Sequence, residues 1–216
     1  TRLTASGMAS PKAVKLAAFI SFGVSAAAGL AVVAASGKWW LIAVGVACVL
    51  AAWFYTGGSR PYGYLGLGEV FVFIFFGLVA VCGTSYVIAG YLPVAAWPAA
   101  VAIGSLASAL LVVNNLRDLE RDRNAGKLTL ATRLGDTGSR RFYVLLVLVA
   151  GLSVIAVAWL TTWWALIALA AFGLAIIPLR RMLTGATGAA LIPLLRGTSM
   201  TELGLGALLL AGTLLS

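Results

Sequence analysis

Seven apolar stretches, each close to the length needed to cross a bilayer, dominate this sequence and leave few folds open to it. They lie at roughly 13–35, 39–55, 68–90, 98–116, 142–160, 163–179 and 199 to the end. A helix needs about 20 apolar residues to span ~30 Å of hydrocarbon. Within the stretches Leu, Ile, Val and Ala run continuously, without the period-2 alternation of a membrane barrel. Lipid supplies no hydrogen bonds, so helices with internally paired backbones are the conformation such runs can adopt. Composition agrees, with 62% of the residues hydrophobic, 10% charged and a mean hydropathy of +1.06. The expected fold is all-α: a polytopic helical membrane protein with about seven transmembrane helices.

Local signals place the segment ends. Ser10-Pro11 suits the N-cap and first position of the first helix. Trp39, Trp40, Trp53 and Tyr55 bracket the second as interfacial anchors. Small residues in the fourth (Ala99, Ala100, Gly104, Ser105, Ala107, Ser108, Ala109) suit close helix packing. Cys48 and Cys82 sit inside apolar segments and read as packing residues.

The net charge of +9 has no basic soluble domain to carry a nucleic-acid site, so nucleic acid is not an expected partner. Its distribution has another explanation. With the N-terminus cytoplasmic and the sides alternating, every one of the 15 lysines and arginines except Lys38 falls on the cytoplasmic side. That satisfies the positive-inside rule, and the inverse violates it. Attraction to anionic headgroups adds to the effect, so the bilayer is the expected partner. The sequence carries no signal peptide and opens on Thr1 rather than a start methionine, as a fragment or trimmed chain does.

Against this background one polar stretch stands out, Asn114 to Gly135, NNLRDLERDRNAGKLTLATRLG. Asp118, Glu120 and Asp122 supply three of the chain's six acids, interleaved with Arg117, Arg121, Arg123 and Lys127. If the fourth helix continues, Asn114, Asp118 and Asp122 share one face and Asn115 lies at its edge. Two carboxylates a turn apart make a hard oxygen site, and the chain has no histidine. Such a site suits Mg²⁺, which takes one or two carboxylates and completes its shell with water and phosphate. The neighbouring Arg and Lys side chains suit the remaining phosphate charge. The plain alternative is a cytoplasmic loop, expected at 117–141, whose charges merely pair with one another. Against it stand the two amides at the end of an apolar helix. Glu69 opens the third stretch, either snorkelling to the interface or facing an internal cavity. Tyr55, Arg60, Tyr62 and Tyr64 lie on the same membrane side, as phosphate grip and aromatics or as interface anchors.

These motifs resemble those of the UbiA superfamily of intramembrane aromatic prenyltransferases, most closely its 1,4-dihydroxy-2-naphthoate branch. Asn114-Asn115-x-x-Asp118-x-x-x-Asp122 matches the second of that family's two Asp-rich motifs, with Asn115 replacing the first acid. Ala125-Gly126-Lys127-x-Thr129-Leu130-Ala131 is similar to the branch. So are Tyr55-Thr56-Gly57-Gly58, Pro61-Tyr62-Gly63-Tyr64 and Gly66-x-Gly68-Glu69. Arg2-Leu3-x-x-Ser6-Gly7 resembles the segment that follows the first motif, with Leu3 where many members have Pro. The first Asp-rich motif itself is absent, and the family has nine spans. The resemblance therefore implies a single transmembrane prenyltransferase domain over 1–216, lacking its first two helices and first motif.

What the resemblance implies is Mg²⁺-dependent transfer of a polyprenyl group from polyprenyl diphosphate to 1,4-dihydroxy-2-naphthoate. CO₂ is lost and demethylmenaquinone forms. On this reading Asp118 and Asp122 ligate the metal and act in catalysis with Lys127. Asn114, Asn115, Arg123, Arg2 and Arg60 support the diphosphate, while Tyr62 and Glu69 face the aromatic acceptor or the cation. The protein would be a multi-pass component of the plasma or inner membrane, with its N-terminus and Asp-bearing loop cytoplasmic. 4-Hydroxybenzoate and haem are the alternative acceptors. A CDP-alcohol phosphatidyltransferase would need D-G-x-x-A-R and a second Asp pair, which the sequence lacks. A transporter would place acids near the midplane in paired broken helices.

Overall fold

The computed structural model describes residues 4, 6–58 and 61–215. Among these the regular structure is entirely helical. The chain forms two compact units, Thr1–Trp53 and Phe54–Ser216.

The first unit holds α1 (Pro11–Ser36) and α2 (Leu41–Thr56) as far as Trp53. Ser10 caps α1, its Oγ accepting from Ala13 N at 3.1 Å, with Pro11 at the first position. Gly37, at φ 66, ends it in the left-handed conformation that glycine adopts without a Cβ clash. Only 6% of the most apolar window of α1 is buried, against 56% for the helix that carries the two asparagines. The first unit's apolar side chains and internally paired backbone suit contact with lipid.

The second unit is built around α5 (Ala96–Arg117). Before it, α3 (Gly68–Val72) runs into a wide, π-type stretch, Phe73–Cys82, and then α4 (Gly83–Ala89), as one rod. After it come the short α6 (Leu119–Asn124) and the long α7 (Leu130–Leu160), bent at Gly135 with φ 70. A tight 3₁₀ stretch, Trp163–Ala175, leads into α8 (Ile176–Leu183); α9 (Ile192–Leu214) closes the chain. At ~2.0 Å per residue the 3₁₀ stretch alone covers about 26 Å, most of a hydrocarbon core. α5 packs against the π-type stretch, α7 and α9. Its small residues allow the approach, since a Cβ on Gly77 would lie 2.7 Å from the Gly104 Cα. Between α7 and α9, fully buried Tyr143 and Thr198 share a hydrogen bond of 2.9 Å.

Among the described residues, five helices are long and apolar enough to cross a membrane: Pro11–Ser36, Gly68–Ala89, Ala96–Arg117, Leu130–Leu160 and Trp163–Leu183. The chain is therefore a polytopic helical membrane protein. The other two expected spans form helices that differ from these five. α2 is apolar but shorter, and the N-terminal half of α9 carries Arg196, Thr198, Thr201 and Glu202. Two boundaries also move. The expected loop 117–141 is mostly helical, because Thr129 Oγ1 accepts from Thr132 N at 3.3 Å and starts α7 at Leu130. The last helix starts at Ile192 rather than 199, with Pro193 in its first turn, where a missing N–H leaves no bond unmade.

Candidate active site

α5 does not run straight through its acidic end. Asp118 takes φ −94 and ψ 7, closing α5 and opening α6. The i→i−4 bonds nevertheless continue across it, from Asp118 N to Asn114 O at 3.2 Å and from Asp122 N to Asp118 O at 2.9 Å. Asn114, Asp118 and Asp122 therefore keep one-turn spacing despite the deflection.

Each aspartate is held by a cation from its own segment. Arg117 grips Asp118 with both arms, Nε to Oδ1 at 3.1 Å and Nη2 to Oδ2 at 2.8 Å. Lys127 Nζ meets Asp122 Oδ1 at 3.0 Å, while its backbone N–H donates to Asp122 O at 2.9 Å. The same ammonium lies 4.7 Å from the centre of the Tyr64 ring, within cation–π range. Leu128 N donates to Tyr64 O, and Arg133 Nη2 to Leu65 O, both at 3.0 Å. The structure thus clasps the Tyr62–Tyr64 turn to the segment after the aspartates, which the sequence placed only on a common membrane side.

The remaining expected residues divide. Asn115 Nδ2 donates to Glu69 Oε1 at 2.9 Å, so the amide joins two helices. Glu69 is 3% exposed and does not snorkel; its Oε2 is buried and meets no partner among the described residues. Tyr62 stacks on Phe71 at 4.0 Å and meets Tyr55 edge-on at 5.5 Å, and burial pushes its hydroxyl above the ordinary phenol range. Arg123 turns to exposed Glu120 at 3.2 Å rather than to either aspartate. Arg2 and Arg60 lie outside the described residues. Asn114 lines a cavity of about 580 Å³ between the α3 rod, α5 and α9.

Two residues absent from the sequence-derived set belong to this picture. Glu202 on α9 lines the same cavity, and its signal is an acid inside an apolar helix. Arg140 carries no catalytic signal. It forms a fork with Asp136 at 2.6 and 2.7 Å and donates to Met182 O and Ala186 O.

The donor chemistry of the acidic pair suits Mg²⁺. Asp118 and Asp122 offer only carboxylate oxygens, and no group of three or more metal-binding side chains occurs among the described residues. A cation that takes one or two carboxylates and fills its shell from water and phosphate fits a two-carboxylate site. Arg117 and Lys127, which now neutralise the pair, could turn to phosphate oxygens instead.

A helical membrane protein with an acid pair, matched cations and an adjoining, mostly apolar cavity is equipped to handle a charged group on a hydrophobic tail. Residues 1–193 match the UbiA prenyltransferase family. The chain belongs to that family and is a membrane prenyltransferase. It is 46% identical over 213 residues to the 1,4-dihydroxy-2-naphthoate octaprenyltransferase of Mycobacterium tuberculosis, spanning 99% of this chain and 72% of that protein. The protein of the same name from Mycobacterium leprae is 43% identical over 217 residues, spanning 98% of this chain and 73% of its own. That from Escherichia coli is 47% identical over 100 residues, 46% of this chain and 32% of that protein. No solved structure matches the chain.

Proposed function

We propose that this protein transfers a polyprenyl group from polyprenyl diphosphate to 1,4-dihydroxy-2-naphthoate, releasing CO₂ and giving demethylmenaquinol, the hydroquinone that a separate two-electron oxidation converts to demethylmenaquinone. The observation that carries this reading is the 46% identity, over 99% of the chain, to a protein named for that acceptor. The acidic pair and its cations provide the chemistry at the diphosphate end.

Asp118 and Asp122 would hold Mg²⁺. When bound, the ion supplies positive charge against the developing charge of the diphosphate leaving group. Lys127 and Arg117 serve the same end from the protein side, releasing their aspartates to grip phosphate oxygens. Asn115, held by Glu69, keeps the end of α5 in register with α3 and so positions Asp118 one turn further on. The allylic C–O bond breaks with its electrons going to the diphosphate oxygen. The electron-rich ring then attacks the allylic carbon, and the ring–carboxylate bond supplies the pair that restores aromaticity as CO₂ departs. Val72, Phe76 and Leu111 offer apolar surface beside this site, which suits an allylic cation that water would quench. The distribution of the basic residues supports a cytoplasmic face for this site by the positive-inside rule.

The test is product formation by the protein in liposomes, given polyprenyl diphosphate, Mg²⁺ and 1,4-dihydroxy-2-naphthoate, with and without chelator. Prenylated product with CO₂ release, lost on chelation, is expected. Product with 4-hydroxybenzoate alone would keep the mechanism and replace the acceptor. Silence with every acceptor would overturn the reading.

A further inference from the structure

The cavity that Asn114 lines has a mixed wall. Val72, Phe76 and Leu111 make an apolar face, while Asn114, Ser199 and Glu202 bring an amide, a hydroxyl and a carboxyl to the same space. At about 580 Å³ it is within the range of small-molecule sites. Glu202 sits on α9 between Thr201 and Leu203, and nothing among the described residues hydrogen-bonds or ion-pairs with its carboxyl. An acid in an apolar helix that faces a cavity, without a protein partner, is suited to a polar ligand group.

A prenyl tail needs no polar wall, and a phospholipid phosphodiester has no O–H for a carboxyl oxygen to accept from. The occupant that matches is largely apolar, with hydroxyl groups at its edge. Asn114 is one helical turn from Asp118, so such an occupant would lie beside the diphosphate end of the site. We propose that Glu202 binds the aromatic acceptor by accepting a hydrogen bond from one of its ring hydroxyls in this cavity. The inference rests on the prenyl-transfer reading and names the subsite and the chain's own residue for that acceptor.

The experiment compares wild type, Glu202→Gln and Glu202→Leu in liposomes, measuring KM for the acceptor and for the polyprenyl diphosphate separately. Leucine removes an acid from an apolar helix, so membrane insertion is not weakened. Glu202→Leu should raise the acceptor KM about tenfold and leave the diphosphate KM unchanged. Glu202→Gln retains a carbonyl acceptor and should recover most of that loss. Acceptors lacking one hydroxyl, 1-hydroxy- and 4-hydroxy-2-naphthoate, complete the test. Wild type should bind one of them about tenfold more weakly than the dihydroxy compound, and Glu202→Leu should lose that discrimination. Unchanged acceptor KM, or discrimination that survives in Glu202→Leu, overturns the assignment while wild-type turnover keeps the underlying reaction. Absence of turnover in wild type removes both.

Discussion

Asn115 Nδ2 donates to Glu69 Oε1 at 2.9 Å, binding the last turn of α5 to the first turn of α3. Ser108 Oγ reinforces the join by donating to Glu69 O at 3.1 Å. Since Glu69 is 3% exposed and its Oε2 already lacks a partner among the described residues, Asn115→Ala would remove the side-chain donor that serves its Oε1 in a buried setting. A loss of about 1–3 kcal/mol is expected, seen as a lowered Tm in detergent. Glu69→Gln keeps an acceptor for Asn115 and should melt close to wild type. If Asn115→Ala melts like wild type, the pair does not hold these helices.

Asp118→Asn and Asp122→Asn should each lower turnover at least about 100-fold, because the stabilisation of a departing diphosphate depends on charge. Folding should survive. Asp118 is partly exposed, so its pair with Arg117 stabilises the fold by about 1 kcal/mol or less. Asn at 122 can still accept from Lys127. Turnover measured across a Mg²⁺ titration, with melting beside it, separates the two effects. Near-normal turnover in either variant sinks the assignment.

Lys127 stands between Asp122 and the face of Tyr64, so its removal should act on diphosphate binding rather than on the acceptor. Lys127→Gln is expected to raise the polyprenyl diphosphate KM several-fold with the acceptor KM unchanged. A change in the acceptor KM alone would contradict that placement.

The motif residues were legible because their spacing is local. Asn114, Asp118 and Asp122 follow from helix periodicity, and the deflection at Asp118 leaves the i→i−4 bonds intact. Long apolar runs likewise announce helices. What the sequence could not supply is partner choice between helices. Asn115 and Glu69 are 46 positions apart, and Tyr64 with Lys127 meet only through the clasp of two connections. The start of α7 was missed for a different reason. Charges between Leu130 and Arg141 read as loop, whereas Thr129 caps a helix there and Gly135 bends it. Arg140 showed as one more topological charge, although its partners in the turn after α8 make it structural.

The crossing of the α3 rod with α5 offers a sharp contrast between two glycines. A Cβ at Gly77 would lie 2.7 Å from both Ala100 O and the Gly104 Cα, so Gly77→Ala must push two backbones apart. A destabilisation of about 1–3 kcal/mol is expected. Gly83, further along the same rod, meets nothing within 4 Å. Gly83→Ala should be neutral or stabilising by up to about 1 kcal/mol. Equal melting of the two variants would mean that the close approach does not set the packing.

Arg140 closes the connection between α8 and α9 from the side of α7. Its Nε and Nη2 bond Asp136 at 2.6 and 2.7 Å, while Nη1 reaches Met182 O at 2.7 Å and Nη2 reaches Ala186 O at 2.8 Å. The carbonyl of Met182 lies in the last turn of α8, where no further helical N–H serves it. One guanidinium thus satisfies two backbone carbonyls and is neutralised by the carboxylate a turn before it. Lysine keeps the charge but not the fork, so Arg140→Lys must leave part of this set unmade. A loss of about 1–3 kcal/mol is expected in thermal unfolding. Turnover measured well below the melting temperature should be retained, because none of these partners touches the acidic pair. If Arg140→Lys melts like wild type but loses turnover, Arg140 belongs to the chemistry rather than to the frame.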